Sequence, residues 1–135
     1  MMPETQVKLS YELPWKPLKE HVRLFHREIL ESSEANELGV HVSSILWEKI
    51  EIGGQVLPHY HDVAEVIHIT VGQVQLLCNG EWKVHKAGDT FLVPAGVVHS
   101  VKNDDNIPTE QISIFLPVTK ESLDNEFFKT YLVQI

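Results

Sequence analysis

The sequence predicts an all-β fold, an antiparallel sandwich or small barrel, on three observations. Short runs rich in β-branched and aromatic residues recur at regular spacing, Gly, Pro and Asn clusters separate them, and Asn79-Gly80 stands between two of the runs as a hairpin signal. With 135 residues and 43% hydrophobic content, the chain is long enough for one domain, 1–135, whose core needs no covalent staples.

Pro3, Pro14 and Pro17 punctuate residues 1–20, where neither alternation nor a helical period is sustained, so an extended lead-in is expected. Residues 21–30 read as a first strand, and the polar stretch 31–37, ending near Gly39, as a loop. Residues 40–52 read as a strand that bends near Leu46, where its apolar positions change parity, and that stops at Gly53-Gly54. Two further strands, 57–71 and 73–78, lead to Asn79-Gly80, a pair suited to the positive φ that a type I′ turn needs at both central positions. The return strand is 81–86. Turns at 87–89 and 94–96 bracket a strand over 90–93, and 97–102 and 109–118 complete the set around a polar loop. Leu123, Phe127, Phe128 and Tyr131 recur near helical spacing, which predicts a short amphipathic C-terminal helix within 119–135, packed on the barrel or a second subunit or serving as a lid.

Composition excludes several classes. Lys and Arg number 11 against 19 Asp and Glu, a net charge of -8 that argues against a nucleic-acid-binding face. Cys78 is the only cysteine, so neither an intrachain disulfide nor a paired-cysteine zinc module can form, and a reducing, cytoplasmic setting is expected. Pro3 and Glu4 stand where a signal peptide would carry basic residues, and no apolar run approaches the roughly 18 residues of a membrane span.

Eight histidines are the unusual feature. His59 and His61 are two apart, so in a strand they share one face with Cβ atoms about 6 to 7 Å apart, and Glu65 keeps the same parity. His99 follows the turn Pro94-Ala95-Gly96, which can deliver it from another strand. Three neutral nitrogens and one carboxylate suit a borderline divalent cation. His68 has the opposite parity and is expected on the other face; His85 is expected opposite Val74, away from the cluster; His21, His26 and His41 lack ligand-like spacing and are expected to be exposed or locally bonded. Cys78 is expected to be a small packing residue, and Tyr60 to point away from the ligands.

These residues carry a family resemblance. Gly53, His59, His61, Glu65 and Gly72 fit the first motif of the cupins, and Gly88, Pro94, Gly96, His99 and Asn103 fit the second, with 15 residues, 73–87, between them. The chain resembles a small single-domain bacterial cupin over about residues 40–118. The resemblance implies a six- to eight-stranded barrel or jelly roll with one divalent metal ion per chain near its mouth, and a homodimer. Iron or manganese is favoured, with nickel, cobalt, copper or zinc as further choices. Gln75, Ile67, Ile69, Phe91 and Trp82 are the candidate substrate-pocket residues by parity and cross-strand position, Gln75 being the polar one.

A six-coordinate ion held by four protein atoms keeps two positions for water, dioxygen or a bidentate oxygen ligand. The expected function is therefore an enzyme on a small oxygen-rich or aromatic metabolite, with oxygenase chemistry favoured. A redox-neutral isomerase, lyase or cyclase is the alternative, and a non-catalytic ligand sensor a further one. The fold alone carries no substrate.

Overall fold

The longest run of strand-forming residues does not stop at Gly53-Gly54, contrary to the sequence reading. The computed structural model describes residues 4–118 and 129–134, and in it one strand, β3, runs from Ser44 to His61. Gly53 takes a left-handed φ of 78°, and a Cβ on Gly54 would lie 2.9 Å from the Val22 carbonyl oxygen. The two glycines thus bend the strand without ending it.

Around β3 lie β1 (Lys16–Pro17), β2 (Val22–Leu30), β4 (Ala64–Val71), β5 (Gln73–Cys78), β6 (Glu81–Lys86), β7 (Thr90–Val93), β8 (His99–Asn103), β9 (Thr109–Leu116) and β10 (Thr130–Leu132). The first half of β3 pairs with β2 and β9, and β9 continues through β4 to β7. Its second half pairs with β8 and β10, and β8 continues through β5 to β6. All of these pairings are antiparallel. One bent strand therefore serves two layers, the arrangement of a jelly roll. Across the Asn79-Gly80 turn the expected register holds, with Val74 opposite His85 and Leu77 opposite Trp82.

Between the layers Leu24, Ile50, Ile67, Ile69 and Phe91 from one side meet Val56, Val74, Leu76 and Val101 from the other. Full burial of each such side chain contributes about 1.5 to 3 kcal/mol. On the outer face the lead-in lies over β2 and β3: the Arg27 guanidinium stacks 4.4 Å from the Trp15 ring and 4.9 Å from Trp47, whose indole N–H donates to Glu110.

Three further expectations are corrected. Residues 57–71 are not one strand, because the chain breaks at Asp62-Val63 between β3 and β4. The expected loop at 31–37 is instead helix α1, Ser32–Leu38. The Glu31 N–H donates to the Glu34 carboxylate at its start, Gly39 ends it at φ 75° with its N–H on Asn36 O, and Ala35 is buried. Seven residues were too few for periodicity to show, but both caps were in the sequence. At the C-terminus Thr130–Leu132 is strand, not helix: Tyr131 lies opposite Tyr60 and stacks on it at 4.9 Å. The rest of the expected helix, 119–128, lies outside the described residues. Among the described residues no helix is long and apolar enough to cross a membrane.

Candidate metal centre

Strand alternation brings His59 and His61 to the inner face at the end of β3, both buried. Glu65 reaches the same point from the start of β4, across the break at Asp62-Val63. His99, at the start of β8, lies directly opposite His59 in the ladder. The turn before it is pinned to β3: Gly96, at φ 81°, donates its N–H to the His61 carbonyl over 2.8 Å. Glu65 does not continue the strand that carries His59 and His61, as its parity had suggested. Histidines and carboxylate meet because two strands leave one corner, not because they share a face of one strand.

Each imidazole is held by its outer nitrogen. His59 Nδ1–H donates to Leu57 O at 2.6 Å, His99 Nδ1–H to Val97 O at 3.0 Å, and His61 Nδ1–H to Lys129 O at 3.3 Å, with Thr130 Oγ1 at 3.1 Å. A carbonyl only accepts, so Nδ1 carries the proton and Nε2 presents a lone pair inward. Those lone pairs crowd together. His59 Nε2 is 3.0 Å from His61 Nε2, and Glu65 Oε1 is 3.2 Å from His61 Nε2 and 3.0 Å from His99 Nε2. All four donor atoms lie within 4.8 Å of one another.

Four acceptors at such distances repel unless a cation or protons lie between them. Bonds of about 2.1 Å at right angles would place neighbouring donors about 3.0 Å apart, so the spacing fits a divalent ion. The protonation states fit as well. Burial, then the neighbouring His99 and His61, push the His59 imidazole down to about 3. Burial pushes the Glu65 carboxyl up, but its contacts with His61 and His99 outweigh this and hold it at about 2. Burial opposes charge on His99, yet the Glu65 carboxylate prevails and raises its pKa. A proton on His99 and a metal ion therefore compete for one place.

The family profile described as "Cupin domain" matches residues 46–115. The chain belongs to the cupin family. Solved structures similar to this cupin include the polyketide cyclase RemF of Streptomyces resistomycificus, with 12% identity and a TM-score of 0.73, covering 98% of this chain and 87% of that one. A predicted oxalate decarboxylase of Thermotoga maritima is 20% identical with a TM-score of 0.72, covering 84% and 100%. KdgF of a Halomonas species is 16% identical with a TM-score of 0.67, covering 84% and 95%. At such identities the likeness concerns the fold. No curated protein matches the chain in sequence.

The four candidate ligands of this cupin line a cavity of about 60 Å³, room for a few water molecules or one small chelating group. Of the pocket candidates, Ile67 lies on its wall. Ile69 and Phe91 pack in the apolar core. Gln75 is turned outward, its amide donating to Asp104 at 3.1 Å, and Trp82 lies under the Lys102 ammonium at 4.0 Å. His68 is exposed and bonded to Thr90, and His85 pairs with Asp89, both away from the site as expected. Cys78 is exposed beside its turn, not packed.

Several wall residues escaped the sequence reading, among them His26 on β2, which is not exposed as expected but largely buried, and two matter most for the chemistry. His21 accepts the Leu57 N–H on Nδ1 at 3.0 Å, and its ring lies 5.2 Å from that of His59. Accepting on Nδ1 makes it an Nε2–H donor, the opposite tautomer to His59, His61 and His99. Burial first of all lowers it to about 4, keeping it neutral. The second is Glu48, 5% exposed on the inner face of β3. Its signal was the parity of Leu46, Glu48 and Ile50, which places a carboxyl among core positions.

Proposed function

We propose that this cupin is a divalent-metal-dependent enzyme acting on a small oxygen-rich or aromatic metabolite. One observation carries the reading: three imidazole lone pairs and a carboxylate, locked by backbone hydrogen bonds, converge on one buried point beside a small cavity. A bound ion would act there as a Lewis acid on an oxygen ligand or, if redox-active, would join dioxygen to it. Oxygenase-type chemistry with iron or manganese is the first branch. Redox-neutral isomerase, lyase or cyclase chemistry is the second, favoured by the buried carboxyl of Glu48 on the cavity wall, a group suited to moving protons. The homodimer belongs to the same reading and is checked by sedimentation at micromolar concentration, where a monomer removes it.

The test is elemental analysis of protein purified without chelator or affinity nickel, beside His61→Ala. About one ion per chain in the native protein and none in the variant supports the site; no ion even after reconstitution rejects it. Oxygen uptake and a metabolite panel, run aerobically and anaerobically on the loaded protein, then separate the branches. Turnover that survives anaerobiosis and a redox-silent ion selects the second. Absence of turnover on the whole panel, with tight ligand binding, overturns the enzyme reading.

A further inference from the structure

The inner face of β9 is unusual for a core strand: Thr109, Gln111 and Ser113 are all buried there, and Gln111 and Ser113 both turn to one partner. That partner is Glu48. Gln111 stands directly opposite it in the ladder and donates its amide to Glu48 Oε1 at 3.1 Å, while the Ser113 hydroxyl donates to the same oxygen. Both of these hydrogen bonds fall on Oε1, and among the described residues none is made by Oε2. The carboxyl lines the cavity that the four ligands line, and so does Gln111. A buried carboxylate is costly without a cation beside it, and among the described residues no lysine or arginine lines this cavity.

We propose that Glu48 is the proton-transfer group of this cavity, its Oε2 taking a proton from an ionisable hydroxyl of a small oxygen-bearing ligand bound at the four-ligand site and returning it on release. The inference rests on the metal-enzyme reading. In the step, the O–H bond of the ligand breaks, its electron pair stays on that oxygen, and the proton moves to Oε2, which becomes the neutral acid. Nothing is oxidised, so both branches of the proposed function accommodate it. Gln111 and Ser113 are positioning residues: they hold Oε1 and leave Oε2 for the exchange. The other titratable groups on the wall are His21 and Glu20 before β2, His26 and Glu28 on β2, His59 and His61 on β3, Glu65 on β4 and His99 on β8; β9 contributes only uncharged partners. Burial, then the charge of Glu65, push the Glu48 carboxyl up to about 7, against the pull of Ser113 and Gln111.

The test is calorimetric titration of the metal-loaded protein with acetohydroxamate, a bidentate oxygen ligand that loses one proton when it chelates a divalent ion. It is run in buffers of different ionisation enthalpy across a pH series, because the proton stays on Glu48 only where the bound ligand anion lifts the carboxyl above the working pH. Between the value of the carboxyl before binding and its value beside the bound anion, the native protein is expected to retain the proton, releasing close to none to the buffer. Glu48→Gln, with its metal content unchanged, is expected to release close to one, with affinity about tenfold lower. Equal proton counts and affinities in the two proteins overturn the proposal and leave the metal site standing; a native protein that holds no metal overturns the metal-enzyme reading itself. Ser113→Ala provides a second line that keeps the carboxyl. Losing one donor to the anion, it should move the pH midpoint of proton retention upward, and an unmoved midpoint counts against Glu48 as the group involved.

Discussion

Glu48 and Glu65 are buried to the same degree, 5% and 4% exposed, on neighbouring inner surfaces of one sheet, yet their carboxyls move in opposite directions. Around Glu65 burial is outweighed by two imidazoles; around Glu48 burial prevails, because a hydroxyl and an amide stabilise the anion less than charge would. Depth alone does not set the protonation state of a carboxyl. The partners do, and two carboxyls pushed apart in this way are suited to different tasks, one to binding a cation and the other to carrying a proton.

The comparison can be broken at either end. The largest effect is expected from His61→Ala, which strips one donor from the Glu65 side and should weaken metal binding by at least about 100-fold, read by equilibrium dialysis. Next is Glu48→Gln in the metal-free protein. Because folding raises the Glu48 pKa from 4.5 to about 7, its contribution to stability is complete below pH 4.5 and lost as pH rises toward 7. The variant should therefore gain on the native protein by about 3 kcal/mol across that window, measured by urea unfolding at several pH values. A difference that does not change with pH would show that Glu48 is not raised at all. Ser113→Ala removes one donor to Glu48 and should cost about 1 kcal/mol, more at high pH than at low, since the bond favours the anion. His68→Ala, exposed on the opposite face of β4, should shift stability by less than about 0.5 kcal/mol and leave metal content unchanged. A larger change there would mean that the site extends through the sheet.

The cluster of four was legible because His59, His61 and Glu65 recur within seven residues and His99 follows a turn that Pro94 and Gly96 announce. The β5–β6 hairpin was legible because Asn79-Gly80 admits one turn geometry, and with it the register. What escaped depended on other parts of the chain. Gly53-Gly54 reads locally as a terminator, and only the strands waiting on both sides turn it into a bend. Gln75 shares its parity with Leu77 and Trp82, but Val74 and Leu76 carry the core face of β5, so Gln75 stands on the outer face, where Asp104 accepts from its amide. His21 precedes its strand by one residue and has no ligand-like neighbour in sequence; the Leu57 N–H that fixes its tautomer is 36 positions away. Glu48 was visible as a charge among core positions, but its meaning required Gln111 and Ser113 from a strand more than 60 residues later.

The bent strand β3 has a kinetic consequence. His59 and His61 lie at its far end, and His99, 40 residues beyond His59, is aligned only after β8 has docked. The full set of four donors is therefore complete only once β8 is in place, and until then a forming chain offers an ion at most the three of 59–65. An ion that binds only the finished structure should leave the refolding rate nearly unchanged and slow unfolding instead. In this protein the metal would act less as a nucleus for folding than as a latch on a barrel already closed.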